Sequence, residues 1–285
     1  TYDAAGNRLQ KVYADGGVEA YTYDPLYRLT EALYPDGAFE RFTYDPVGNR
    51  LTLEDETGMT PYAYDAADRL LSDGGVAYGW DSNGNQVSKS EDGSLTTYQY
   101  DVDNRLTEIT FPNAQTNFYQ YYPDELRLSV TDQANLSSYI LYDEWNDLVE
   151  TNAIGATVAR YTSEPGIDRW LSLTQQGAMY YYHQDALGNS IGLSNDTETQ
   201  IATYKYRVFG QTSMQTAIAN PFQFSGRRLD KDSGFLYSRY RYYEIGQGRF
   251  ISHDPLPGSA ELPKGQHKYV YAQNDPVQYI DPLGL

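Results

Sequence analysis

The sequence contains no cysteine and only three histidines, His183, His253 and His267. Without thiols there are no disulfides, thiolate metal ligands or cysteine nucleophiles, and the redox compartment is left open. The histidines are widely separated and lack carboxylates at ligand spacing, so no metal and no other cofactor is expected. No apolar run is long enough to cross a bilayer, and no signal peptide is visible. A Gly-x-Ser-x-Gly elbow, a phosphate-binding glycine loop and a His-Glu-x-x-His pattern are all missing, which argues against a standalone hydrolase. The chain starts at Thr1 inside a Tyr-Asp unit, as expected of a piece of a longer product.

Positive charge is scarce as well: 21 Lys and Arg stand against 39 Asp and Glu. The imbalance is local. Residues 1–203 hold 11 basic and 32 acidic side chains, whereas residues 204–285 hold 10 and 7. An acidic body repels phosphates at long range and excludes a nucleic-acid partner. It reads as a solvated surface or, more sharply, as an acidic wall around a basic cargo.

What the chain has in abundance is tyrosine, 30 residues of 285. The unit Tyr-Asp-x-x-Gly-Asn-Arg-Leu is clean at Tyr2 and Tyr44, with degenerate copies at Tyr23, Tyr64, Trp80, Tyr100, Tyr142 and Tyr182. Weaker positions at Tyr121–Tyr122 and Tyr161 complete a period of about 20 residues, the mark of a repeat architecture. A large apolar residue precedes most of these anchors by two, as in Tyr21/Tyr23 and Phe42/Tyr44, and positions i and i+2 share one face of a strand. Each unit also carries two turn signals, one after the Tyr and one at segments such as Pro35-Asp36-Gly37. Two turns and two short strands per repeat predict one hairpin per repeat. Lone hairpins are marginal, so the units must pair edge to edge. The Tyr is read as structural and the Asp as a turn former; a calcium solenoid is excluded because its period is near nine.

From residue 204 the beat fades into a basic, aromatic segment. The Tyr-Asp units resemble the YD repeats of the Rhs family. The runs "YRVFGQ", "NPFQFSGRRLDKDSGFLYSRYRYYEIGQGRFISHDP" and "YVYAQNDPVQYIDPLGL" resemble that family's core-associated domain, related to toxin-complex C proteins, wall-associated proteins and teneurins. The resemblance implies an all-β fold, a spiralling antiparallel sheet of stacked hairpins forming part or all of a hollow shell. Residues 1–203 would be the hairpin array and residues 204–285 the core-associated plug. It further implies a secreted or surface-delivered bacterial protein that encapsulates a C-terminal toxin domain, released by self-cleavage after Leu285. Its partners would be that cargo, the remaining shell and delivery proteins. The alternative is a surface adhesion or carbohydrate-binding module, with exposed Tyr and Trp as sugar platforms.

Self-cleavage of the aspartic-protease type needs two carboxylates sharing a proton. By resemblance these are Asp254 and Asp281, with Arg249 and His253 supporting; as Asp-Pro pairs, both also read as turn starters. The chain departs from the family pattern where Asp254 is followed by Pro-Leu-Pro-Gly. It also has Gln266 and His267 where some members carry a second acid, a role left to Glu261 or Asp275. Arg227, Arg228, Arg239 and Arg241 alternate with Phe235, Tyr237, Tyr240 and Tyr242, a pattern that arginine–aromatic stacking explains better than nucleic-acid binding.

Overall fold

The hairpin Phe39–Tyr44/Arg50–Asp55 shows how a repeat is built. Thr43 pairs with Thr52, but Tyr44 pairs with Arg50, so Leu51 has no partner across the ladder. The same register shift recurs before Tyr23, Tyr64, Trp80, Tyr100, Tyr121 and Tyr142. A bulge with one extra residue bends a strand and adds right-handed twist. It gives the hairpins that carry it the same local bend and twist.

The Asp of the repeat closes the turn. Asp45 Oδ1 accepts the amides of Val47, Gly48 and Asn49 at 2.8–3.0 Å, and Oδ2 accepts Asn49 Nδ2 at 3.0 Å. The fourth residue of the turn is left-handed: Gly48 has φ +105°, and Tyr27, Asp68 and Asn104 hold the same place at 60–62°. Glycine is the unstrained solution there, and the degenerate copies tolerate the strain.

The anchor Tyr stitches one repeat to the one before. Tyr44 Oη donates to Leu29 O at 2.7 Å, Tyr23 to Arg8 O at 2.8 Å and Tyr64 to Arg50 O at 2.9 Å. Trp80 Nε1 does the same for Leu70 O, and Tyr121, Tyr142 and Tyr206 for Leu106, Arg127 and Ser190. The residue two before each anchor is buried: Tyr21, Phe42, Tyr62, Tyr98, Tyr119 and Ile140 form the core face. The Arg of the repeat lies on these rings, with Arg50 4.9 Å from Phe42 and Arg28 4.8 Å from Tyr44.

The computed structural model describes residues 1–258 and 267–285. They divide into two compact units, Thr1–Ser94 with Ser252–Ile280, and Leu95–Ile251 with Asp281–Leu285. In the first, strands from Gln10–Val12 to Gln86–Glu91 each pair antiparallel with the next. Its C-terminal part caps the repeat turns: Asn274 Nδ2 donates to Gly48 O, and Tyr269 Oη to Gly84 O, its ring edge-on to Trp80 at 5.1 Å.

The second unit has its own ladder of antiparallel strands, ending at Thr212–Thr216, and a four-stranded sheet of Arg228–Leu229, Phe235–Ser238, Arg241–Glu244 and Arg249–Phe250. Among the described residues the secondary structure is nearly all antiparallel β, as the repeat predicts. Two repeat positions need correction. The register shifts fall before Ser163 and Gln184, which therefore hold the anchor place, while Tyr161 and Tyr182 are the buried residues two earlier. Asp185 is the turn acid that follows Gln184, bonded to the amides of Leu187 and Asn189.

Candidate functional site

Strands Phe235–Ser238 and Arg241–Glu244 form a two-residue hairpin with Arg239 and Tyr240 at its tip, Arg239 at φ +60°. The tip buries a charge cluster. Asp168, in the link between strands Thr157–Ser163 and Trp170–Gln175, accepts both forks of Arg239 at 2.8 and 3.0 Å and lies 2.5 Å from Arg227. Arg239 also donates to Trp145 O through Nε at 3.1 Å and Nη2 at 2.6 Å. Arg227, Arg239 and Asp168 are each no more than 7% exposed. Burial pushes the Asp168 carboxyl up to about 7, against the opposing pull of Arg239. This site sits where the anchor tyrosines give way: Ser163 Oγ accepts Asn146 Nδ2, and Gln184 bonds Trp170 N and Asp168 O.

The segment Asp281–Leu285 lies against this hairpin. Asp281 Oδ1 accepts the amides of Gly284 at 2.8 Å and Leu285 at 3.0 Å, and Oδ2 lies 3.3 Å from Arg241 Nη2. Gly284 has φ +73°, and a Cβ there would stand 2.4 Å from Ser238 O, so no larger residue fits. Two further buried pairs flank the cluster, Arg127–Asp230 at 2.8 Å and Arg228 with Asp147 and Glu150. Burial holds the Asp230 carboxyl above its ordinary range despite Arg127; for Glu150, Arg228 overcomes burial and holds it below.

The residues expected for self-cleavage are found in different units. Asp254 and His253 belong to the first; Asp281 and Arg249 belong to the second. Asp254 Oδ1 accepts Leu256 N at 2.8 Å, and its own amide donates to Lys268 O, so it starts a turn as its Asp-Pro sequence suggests. His253 is exposed, donates its amide to Gly84 O and packs edge-on to Tyr269. Arg249 is buried opposite Glu244 in the terminal sheet. Asp275 is buried in the first unit, where His267 Nε2 bonds Asn49 Oδ1 at 2.8 Å. Glu261 and Gln266 lie outside the described residues.

Sequence reasoning missed Asp168, Arg227 and Arg239 as a cluster. Its stacking expectation holds for Arg241 on Phe250 at 3.7 Å and Arg228 on Phe222 at 5.3 Å, with partners other than the neighbouring rings. Among the described residues no group of three or more acids and histidines is placed to hold a metal, and no helix is long and apolar enough to cross a membrane.

A bulged hairpin ladder stitched by Tyr-to-carbonyl bonds, with a buried arginine cluster on its terminal segment, defines a repeat-built β-shell protein. A family model for the RHS repeat matches residues 80–116, and one for the teneurin YD-shell matches residues 11–93. The chain belongs to the RHS/YD-repeat family. It is 32% identical to the tRNA3(Ser)-specific nuclease WapA of Bacillus spizizenii, over 99% of this chain and 12% of that protein. Toxin protein Tse5 of Pseudomonas aeruginosa is 35% identical over 37% of this chain and 8% of its own length. The chain thus spans a small part of the curated relatives it matches. A Tc holotoxin pore structure from Photorhabdus luminescens has the same fold, with a TM-score of 0.55 at 18% identity, covering 100% of this chain and 19% of that one.

Proposed function

We propose that the chain is part of the shell of an Rhs-type toxin, encapsulating a toxin domain that follows Leu285 in the full-length product and is freed by self-cleavage there. The observation that carries this reading is the docking of Asp281–Leu285: the segment is fixed by buried arginines rather than trailing as a tail. The names of WapA and Tse5, a nuclease and a toxin, support the cargo class. In this reading Asp254 and Asp281 supply the two carboxylates, one activating water and the other protonating the carbonyl oxygen. The adhesion alternative asks for exposed tyrosines and tryptophans, and Tyr2, Tyr27, Tyr181 and Tyr279 are exposed, but the tryptophans do not fit it. Trp170 is instead buried, Trp80 is packed on Tyr269, and Trp145 lies 6.5 Å from Tyr240.

The test is the intact mass of the full-length product, wild type beside Asp254→Asn. A fragment ending at Leu285 in the wild type alone establishes the cut and its acid. If both run as one uncut chain, self-cleavage is wrong.

A further inference from the structure

The segment Asp281–Leu285 is gripped through its main chain. Arg227 Nη2 donates to Asp281 O at 3.0 Å and also to Pro282 O. Arg239 Nη1 donates to Pro282 O at 2.9 Å, the Tyr240 amide to Leu283 O at 3.1 Å, and Arg241 Nε to Gly284 O at 2.6 Å. Four successive carbonyls thus face donors from residues 227–241. Side-chain identity enters at two positions in particular. Asp281 folds back on the Gly284 and Leu285 amides, and Gly284 is the residue whose Cβ would collide with Ser238 O.

Two of the three arginines, Arg227 and Arg239, have partners outside the segment. Asp168 takes both forks of Arg239 and pairs with Arg227, and Trp145 O takes the rest of the Arg239 fork. Rigid, buried guanidinium groups lose little on binding and are costly to leave bare, because an unmet charged donor keeps its full desolvation penalty.

We propose that Arg227, Arg239 and Arg241 form a binding site for an extended Asp-x-x-Gly peptide, read through its carbonyls, and that it keeps residues 281–285 docked whether the bond after Leu285 is intact or cut. The second half rests on the self-cleavage reading; the site itself does not. Its consequence is that cutting the chain does not by itself release the segment.

Hydrogen exchange read by mass spectrometry tests this on the 285-residue chain, following the Gly284 and Leu285 amides. The wild type is expected to protect them. Arg239→Lys, which keeps the charge but loses the fork, is expected to speed their exchange about ten- to a hundredfold, the loss of one charge-assisted bond. Strand Phe235–Ser238 should keep its protection. Gly284→Ala should give the same loss while removing no arginine, and it decides the matter if Arg239→Lys loosens the whole hairpin. Amides that exchange in the wild type as fast as in a free peptide, or that are unmoved by Gly284→Ala, overturn the site. On the full-length product, protection after the cut is expected to match that before it; fast exchange only in the cut form overturns retention. Absence of any cut overturns the self-cleavage reading and leaves the clamp decided by the uncut chain.

Discussion

Along the repeats and at the terminal hairpin the chain meets the same need, a donor for carbonyls beyond the reach of the ladder, with opposite chemistry. In the repeats a neutral Tyr hydroxyl reaches the preceding unit, as Tyr44 reaches Leu29 O. At the terminal hairpin, guanidinium groups do it from a buried site where Asp168 accepts from Arg239. The neutral bond asks nothing of its surroundings, so it can be copied every 20 residues. The charged one demands an acid partner wherever it is used. In the repeats Arg28 and Arg69 donate to Asp45 O and Asp81 O while paired with Asp24 and Asp65 at half-buried places. At the terminal hairpin the arginines and their acid are buried. At Ser163 and Gln184, beside that place, the tyrosine is missing.

The comparison predicts unequal damage. Arg127→Ala should cost the second unit about 3–5 kcal/mol, because it strands Asp230 as an uncompensated buried charge; Arg127 is fully buried and Asp230 nearly so. Chemical denaturation of single and double variants checks this, and the double Arg127→Ala/Asp230→Ala should be less harmful than the sum. If the single variant costs under about 1 kcal/mol, the charged region is no more exacting than the repeats.

A repeat bond should break more cheaply. Tyr44→Phe removes one hydroxyl and leaves the ring, and about 0.5–1.5 kcal/mol is expected from the same assay. The turn is of similar size: Gly48→Asn should cost less than Gly48→Ala, itself about 1 kcal/mol. The equivalent Asn104 already sits at φ +62°, and asparagine bears the left-handed region better than alanine. Equal losses for the two variants would show that the turn's φ does not govern its sequence.

The same contrast explains how much was legible in advance. Tyr44, Asp45 and Gly48 act within a few residues or one period, so spacing alone revealed the strands, the turns and the buried face at Tyr21, Phe42 and Tyr62. The bulge is silent in the sequence, because skipping Leu51 leaves the alternation of aromatics intact; for that reason Ser163 and Gln184 passed unnoticed behind the louder Tyr161 and Tyr182. Asp168 and Arg239 are 71 residues apart and share no pattern, so only the fold joins them. Asp281 was legible as a motif residue, but its hold on the Gly284 and Leu285 amides was not.

The last prediction is a slope with pH set by the buried acid of the charged region. Burial raises the Asp168 carboxyl to about 7, with Arg239 pulling the other way. In the unfolded chain an aspartate titrates near 3.9, so between about pH 4 and 7 the folded state holds the extra proton. Stability from this group is therefore greatest in acid and declines as pH rises through that window. Asp168→Asn cannot titrate. Its deficit relative to the wild type should be widest near pH 4.5 and narrow towards pH 7.5 in denaturation series run at both ends. A deficit that widens with pH would mean that the two arginines outweigh burial and that the carboxyl ionises in acid. The clamp would then be a conventional ion pair, and the line drawn between the two regions would rest on distance from solvent rather than on charge.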